Sequence, residues 1–180
     1  WACNVRNTLY KHGFGIVWES QGVGKVKRFM LEFKTRLVDC FQQDWNSSMA
    51  SHDFYYIYAS FKRDVICSDY LSVVKNINIR RFLSRFRVGM SPLRSHFLEF
   101  RPEHRTNTNC PFCQNAEESE MHVLLVCPMY QDIRADLIPL KYTRRPSLFA
   151  FTLLMTNTNE TVIRNLANFV YKALLIRGRQ

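Results

Sequence analysis

Residues 109–130 read NCPFCQNAEESEMHVLLVCPMY and place three cysteines and one histidine in the order C-x2-C-x8-H-x4-C. The four residues are Cys110, Cys113, His122 and Cys127. Structural zinc sites are tetrahedral and take four thiolate or imidazole ligands, all of which this set supplies. Because a complete ligand shell leaves no position for an activated water, the spacing predicts one structural zinc ion and not a catalytic one.

The local sequence favours convergence of the four predicted ligands. Pro111 favours a tight turn between the first two cysteines, so that both sulfurs point toward one centre. His122 begins an apolar run that predicts a helix, on which a residue five positions later lies about 140° around the axis. The helix must therefore end near Cys127. Pro128 supports this ending, because a proline disfavours helical geometry in the residue before it.

Two other interpretations of the motif remain open. Cys110 and Cys113 could form a redox C-x-x-C pair, or the cluster could be a chance grouping of buried thiols in a chain with six cysteines. A redox pair usually follows a strand and opens a helix, and no such pattern surrounds Cys110. A surface or polar-core role is expected for His96 and His104, although His104 would be the substitute ligand if His122 faced away.

Composition limits the class of protein. The chain has 180 residues, of which 47% are hydrophobic and 14% aromatic, so it can bury a core as one domain or two small lobes. It begins with Trp1, shows no cleavable leader and has no apolar run near the ~20 residues of a membrane span. Cys3, Cys40 and Cys67 are scattered outside the motif, which fits a reducing compartment. We therefore expect an intracellular piece of a longer protein, nuclear and/or cytoplasmic, with no membrane contact.

The net charge of +10 is unevenly distributed. Residues 1–109 carry 17 basic and 9 acidic side chains, residues 110–140 carry 1 and 5, and residues 141–180 carry 7 and 1. The metal motif is thus acidic, and both of its flanks are basic. Basic surfaces bind polyanions through counterion release, so we expect RNA and/or DNA on the flanks and not on the metal loop.

Hydrophobic periodicity predicts a mostly helical chain. A stripe at helical spacing covers residues 26–41, and a second one covers 161–176 after the cap signal TNTNE. Residues 130–139 predict a short helix, and 141–147 predict a basic linker. The apolar stripe of the first helix is Val26, Phe29, Met30, Phe33, Leu37 and Phe41.

The predicted fold class is mainly α: a helical bundle with a small Cys3His zinc clip inserted between helical lobes. Residues 1–105 would form a basic helical lobe and residues 106–140 the zinc-knuckle region. Residues 141–180 would form a C-terminal helical segment that packs back on the first lobe.

An arginine-rich helix over residues 79–88 is the strongest candidate for binding nucleic acid. Its apolar stripe would be buried, with Arg80 and Arg87 on one flank and Arg81 and Arg85 on the other. Arginine suits bidentate phosphate contacts and stacking on bases. The alternative is an amphipathic helix whose arginines serve solubility. The predicted nucleic-acid contacts are Arg80, Arg81, Arg85, Arg87, Arg94, Arg101 and Arg105.

Several phrases of this chain, in order, resemble the region downstream of the polymerase in LINE-type (non-LTR) retrotransposon reverse transcriptases. They are WACNVRNTLYKHGFGIVWESQGVG, FKRDVICSDYL, RRFLSRFRVG and NCPFCQNAEESEMHVLLVCPMYQDIR, and the resemblance covers most of residues 1–140. Its most specific part is the cysteine-histidine motif, which looks like the C-terminal zinc knuckle of that family. The resemblance implies zinc at Cys110, Cys113, His122 and Cys127, and a role in holding template RNA or target DNA during target-primed reverse transcription.

The predicted function is nucleic-acid binding by the zinc-knuckle region of a retrotransposon-type reverse transcriptase, whose remaining polyprotein would be a partner. The chain has no tyrosine-x-aspartate-aspartate polymerase motif and no acidic endonuclease constellation, so we expect it to be non-catalytic by itself. The first alternative is a zinc-stabilised protein-protein interaction scaffold. The second is a thiol oxidoreductase that uses Cys110 and Cys113.

Overall fold

The computed structural model describes residues 1–51, 56–95 and 108–178. These residues are mainly helical, and the only extended pairing among them is an isolated antiparallel bridge between Asn109 and Glu117. The predicted mainly α fold is therefore confirmed. None of the helices in these three ranges has both the length and the apolar character needed to cross a bilayer.

The chain forms two compact units, residues 1–51 and residues 52–180. The predicted division into 1–105, 106–140 and 141–180 stays a prediction. Four residues with predicted roles lie outside the described residues: His96, Arg101, His104 and Arg105.

The first unit consists of three helices, α1 (Ala2–Lys11), α2 (Gly15–Glu19) and α3 (Val26–Ser51). An aromatic cluster holds α3, in which the ring centroid of Phe14 lies 5.6 Å from that of Phe29 and 5.3 Å from that of Phe33. The remaining part of the predicted stripe is not covered, since Met30 is 56% and Phe41 58% exposed. The sequence therefore predicted the helix correctly but not which part of its apolar face would be buried.

The second unit contains seven α-helices among its described residues, with a π-helical turn and a 3-10 turn in the metal motif. In chain order these are α4 (Tyr56–Phe61), α5 (Tyr70–Val73), α6 (Ile77–Arg87), the π-helical turn (His122–Val126), the 3-10 turn (Pro128–Tyr130), α7 (Gln131–Leu137), α8 (Leu140–Thr143), α9 (Leu148–Met155) and α10 (Glu160–Arg177). The predicted linker over 141–147 is wrong in its first half, because α8 occupies it.

Side-chain caps fix the beginnings of the longer helices in this unit. The side chain of Asn159 accepts hydrogen bonds from the backbone N–H groups of Thr161 and Val162, at 3.0 and 3.2 Å. Asn76 caps α6 in the same way, and the Ser147 hydroxyl caps α9. Each cap satisfies N–H groups that have no partner within the helix. The cap signal predicted before α10 is thus confirmed.

The core of the second unit is built around α10, which packs against α6, α7 and the π-helical turn. Phe86 of α6, Phe151 of α9 and Phe169 of α10 are fully buried in it. Leu124 of the π-helical turn belongs to the same core and is also fully buried. The metal motif is therefore part of the core and not an appended surface loop.

Candidate metal centre

The first two cysteines lie in a closed loop. The Cys110 N–H donates to the Ala116 carbonyl at 2.8 Å, and the Gln114 N–H donates to the Cys110 carbonyl at 2.9 Å. Gln114 has a left-handed backbone with φ of 56°. The bridge between Asn109 and Glu117 closes the loop at its base. Both sulfurs are thereby held on one side of a short turn.

The histidine and the third cysteine are brought together by the π-helical turn. The Cys127 N–H donates to the His122 carbonyl at 2.7 Å, a bond that spans five residues. Such a turn accommodates one more residue than an α-helical turn, so positions five apart lie on the same side. Helical geometry ends at Cys127, whose ψ is 124°, as the proline after it predicted. The predicted end of the helix near Cys127 is therefore confirmed, whereas the π-helical turn before it was not predicted.

The four predicted ligands converge. One ligand atom from each of Cys110, Cys113, His122 and Cys127 lies within 4.8 Å of all the others. Cys110 Sγ is 3.7 Å from Cys127 Sγ, and Cys113 Sγ is 3.3 Å from His122 Nε2. Cys113 is partly exposed and the other three are buried. The cluster is positioned to bind a single metal ion, and His122 faces it, so the substitution by His104 is not needed.

The protein environment already biases the protonation of the ligands. Burial lowers the pKa of His122, which favours the neutral imidazole that a metal requires. Burial also raises the pKa of the Cys127 thiol to about 12 without a metal. For Cys113, burial acts to raise the pKa, but hydrogen bonds from the Asn115 backbone, from the Cys110 and Cys127 thiols and from the Ala116 backbone hold the pKa below its usual value. Metal binding therefore has to displace a proton from a deeply buried thiol.

Arg134, which no sequence argument identified, holds the second half of the motif. This side chain is 7% exposed. Its Nε donates to the Leu124 carbonyl at 2.8 Å, and its Nη2 donates to the carbonyls of Val123 and Cys127 at 3.1 and 2.7 Å. These carbonyls lack helical partners because the π-helical turn ends there. Arg134 therefore fixes the backbone on which Cys127 is presented.

Glu118 connects the metal motif to the end of α10. The carboxylate is fully buried and accepts from Arg177 Nε at 2.6 Å and from the Arg94 backbone N–H at 2.8 Å. Glu120 is also fully buried. Two of the five acidic residues in 110–140 are thus removed from the surface. The exposed part of the motif is consequently less acidic than the sequence count indicated.

The structure removes Arg87 from the predicted nucleic-acid contacts. It is 5% exposed, and its Nη1 donates to the carbonyl of Met155 at 2.6 Å, at the end of α9. Its guanidinium carbon lies 4.6 Å from the ring centroid of Phe61 and 4.8 Å from that of Tyr70. The Arg87 guanidinium therefore packs inside the core, and it could reach a phosphate only if these contacts were broken.

The other described arginines of the predicted surface divide into two groups. Arg80 is partly buried and donates to the carbonyl of Leu71 at 3.0 Å, while Arg94 Nη1 donates to the carbonyl of Asn109 at 3.0 Å. Arg81 and Arg85 are exposed on α6. The structure thus leaves the Arg81 and Arg85 flank of α6 as the side available to a polyanion.

Comparison of the chain with protein-family models, with curated proteins and with solved structures finds no match.

Proposed function

We propose that this chain is a nucleic-acid-binding region, for RNA and/or DNA, whose fold is organised by one structural zinc ion. The observation that carries the proposal is the convergence of Cys110, Cys113, His122 and Cys127. In a tetrahedral site with zinc–sulfur bonds of about 2.3 Å, two sulfurs lie about 3.8 Å apart. The separation of 3.7 Å between Cys110 and Cys127 fits that value. The metal would tie the 109–117 loop to the π-helical turn.

The geometry favours a metal over disulfide chemistry. Cys110 and Cys113, the pair that a thiol oxidoreductase would use, share their site with His122 and Cys127, and all four ligand atoms lie within 4.8 Å of one another, an arrangement that a metal needs and a disulfide does not. Cys110 is also fully buried, whereas an attacking thiolate needs access to its target. Thiols that stay reduced agree with a reducing, intracellular compartment, nuclear and/or cytoplasmic, as part of the proposal.

Native mass spectrometry of freshly purified protein tests the zinc site. We expect one zinc per chain, a loss of that mass in Cys127→Ser, and no loss in Cys3→Ser, which removes an exposed thiol outside the cluster. Protein that carries no zinc and takes up none when Zn²⁺ is added would refute the site. Equal metal loss in both variants would show that the cluster is not the ligand set.

The proposed nucleic-acid surface is the exposed side of α6, where Arg81 and Arg85 lie near Lys75 in the chain. Each exposed cation that neutralises a phosphate releases condensed counterions, which makes binding weaken as salt rises. Removing two contacts should therefore reduce the slope of log affinity against log salt by about 1.4 on a single strand.

The matched experiment compares Arg81→Ala/Arg85→Ala with Arg6→Ala/Arg36→Ala. Both double variants lose two exposed positive charges, but the second pair lies in the first unit. We expect the first variant to flatten the salt dependence for RNA and DNA and the second to leave it unchanged. If the two variants have identical slopes of log affinity against log salt, the nucleic-acid contact does not lie on α6.

The proposal extends to the larger protein on the resemblance to LINE-type reverse transcriptases. The chain would be a non-catalytic part of such an enzyme and would hold template or target while another part of the polyprotein polymerises. Primer-extension assays with the isolated chain should therefore show no polymerisation, and detectable extension would contradict this assignment.

A protein-protein interaction scaffold is the second candidate, favoured by the apolar side of α3. Val26, Met30 and Phe41 are each more than half exposed there, at 59%, 56% and 58%. An amphipathic helix of this kind can bind a partner through its apolar face. Dissociation constants weaker than about 10⁻⁴ M for both RNA and DNA at physiological salt would favour this function over nucleic-acid binding.

A further inference from the structure

A groove separate from both the metal cluster and the exposed arginines of α6 lies along α8 and α9. We call it the α8–α9 groove; its lining includes Lys141, Tyr142, Arg145, Phe149, Leu153 and Asn157. Its volume is about 550 Å³, within the roughly 300–1,000 Å³ of ordinary ligand sites. Residues 141–147 were predicted from the sequence as a basic linker in a basic flank, without a groove or an individual contact residue.

The charge of the groove is positive throughout. Lys141 and Arg145 line it and are exposed, and none of its lining residues is acidic. Arg144 adds a third exposed cation beside it. The stretch 137–159 contains no aspartate or glutamate at all. An anionic ligand is therefore the complementary occupant.

The lining of the groove also includes an exposed aromatic ring. Phe149 is 72% exposed, whereas Phe151, two residues later on α9, is fully buried. Leu153, one helical turn after Phe149, is 45% exposed and extends the same apolar wall. An exposed ring beside cations is the arrangement on which successive bases stack while the backbone is neutralised.

Two lining residues of the groove are joined by a partly buried hydrogen bond. Tyr142 is 4% exposed, and its hydroxyl accepts from Asn157 Nδ2 at 2.7 Å. The Nζ of Lys141 lies 4.9 Å from the centroid of the Tyr142 ring. The ammonium group is thus held against the groove wall instead of extending freely into solvent. The groove is preformed, which lowers the entropic cost of binding.

We propose that the α8–α9 groove binds single-stranded nucleic acid, with phosphates at Lys141 and Arg145 and a base stacked on Phe149. A duplex offers the same phosphates, but its stacked bases cannot reach the ring. An acidic peptide would satisfy the cations and leave Phe149 without a π-stacking partner. The inference rests on the proposed nucleic-acid function and adds single-strand preference and a second contact surface to it.

The test measures the affinities of full-length variants for a fluorescent 12-nucleotide single strand and for a duplex of the same length. We expect Phe149→Ala to weaken single-strand binding about tenfold, the effect of losing one stacked base, and to leave duplex binding unchanged. Phe149→Tyr keeps an aromatic face and should retain the affinity. Phe41→Ala, which removes a ring that is also more than half exposed but lies in the first unit, is the control and should have no effect.

The salt dependence provides an independent measurement. Lys141→Ala/Arg145→Ala should lower the single-strand salt slope by about 1.4, while Phe149→Ala should leave the slope as it is. Equal losses on single strand and duplex in Phe149→Ala, or no loss on either, would overturn the inference. Binding of the same variants to poly-glutamate and to phosphatidylserine vesicles is measured as well. If the substitutions weaken binding to one of these probes and to neither oligonucleotide, the groove binds an acidic peptide or a lipid surface, and the inference is overturned.

Failure of the proposed function gives a different result. Wild-type protein that binds neither oligonucleotide would refute nucleic-acid binding as a whole and this groove with it. Wild-type protein that binds both, with Phe149→Ala indistinguishable from it, would refute only the groove.

Discussion

Replacing Arg134 by methionine should destabilise the second unit through the backbone of the metal motif. Methionine keeps most of the apolar length of the side chain but leaves the carbonyls of Val123, Leu124 and Cys127 without the donor that now serves all three. A buried carbonyl without a partner costs about 1–3 kcal/mol. The three together give an upper range near 9 kcal/mol. Arg134 itself is 7% exposed, so water can enter the space that the guanidinium leaves, and we expect the low end, about 3–4 kcal/mol.

The assay must report on the second unit. All three tryptophans, Trp1, Trp18 and Trp45, lie in the first unit, so tryptophan fluorescence would miss the change. Urea unfolding of the metal-loaded protein followed by far-ultraviolet circular dichroism gives the free energy of unfolding. Hydrogen–deuterium exchange of peptides covering residues 119–137 gives the local effect. A chromophoric chelator gives the metal affinity, which should fall about 10- to 100-fold, as for other groups that orient ligands.

Two comparisons make this prediction refutable. Arg144→Met removes an exposed arginine just after α8 and should change the free energy of unfolding by no more than about 0.5 kcal/mol. Arg134→Lys keeps the charge but not the planar donor array, so it should recover only part of the loss. A loss below about 1 kcal/mol in Arg134→Met, with metal affinity unchanged, would show that the three hydrogen bonds do not stabilise the motif.

Three further substitutions test other features of the second unit. Gln114 has a left-handed backbone with φ of 56°, which glycine adopts without strain, so Gln114→Gly should raise the free energy of unfolding by about 1 kcal/mol in a urea titration. A decrease in the free energy of unfolding would mean that contacts of the Gln114 side chain outweigh the backbone strain. Asn159→Ala should lower it by about 1 kcal/mol through loss of the α10 cap, and an unchanged urea midpoint would contradict the cap. Glu118→Gln should lower it by about 3 kcal/mol, because Arg177 loses the buried carboxylate it contacts at 2.6 Å. Glu117→Gln, at an exposed acid, is the control for this last change, and equal losses in both would refute the role of the ion pair.

The sequence was sufficient to identify the four residues of the candidate metal cluster, because metal-ligand chemistry depends on residue type and spacing. The end of the helix at Cys127 was equally predictable, since Pro128 acts on its immediate neighbour. The π-helical turn was not predictable, because helical-wheel arguments assume 3.6 residues per turn. The sequence therefore predicted the convergence of His122 and Cys127 through the end of the helix, but not through the five-residue hydrogen bond that the structure shows.

The roles of the arginines could not be predicted from the sequence. On a helical projection of α6, Arg87 lies on the same flank as Arg80, at the border of the apolar stripe. Its burial depends on Phe61, Tyr70 and Met155, and the carbonyl it contacts is 68 residues away in the chain. The hydrophobic pattern of α6 contains no information about a partner so distant in the sequence. The role of Arg134 was not predictable either, because the carbonyls to which it donates are left without helical partners only by the π-helical turn.

The π-helical turn makes the ligand spacing and the core interdependent. Shortening this turn to an α-helical one would rotate every following residue by about 100°, moving Cys127 out of the cluster. The same rotation would turn the fully buried Leu124 and its neighbour Leu125 relative to α10. Deleting one residue between His122 and Cys127 would therefore disturb both the position of Cys127 and the packing of Leu124. The place of Cys127 in the candidate metal cluster and the packing of Leu124 in the core thus depend on one helical register, and a variant that shifts one must strain the other.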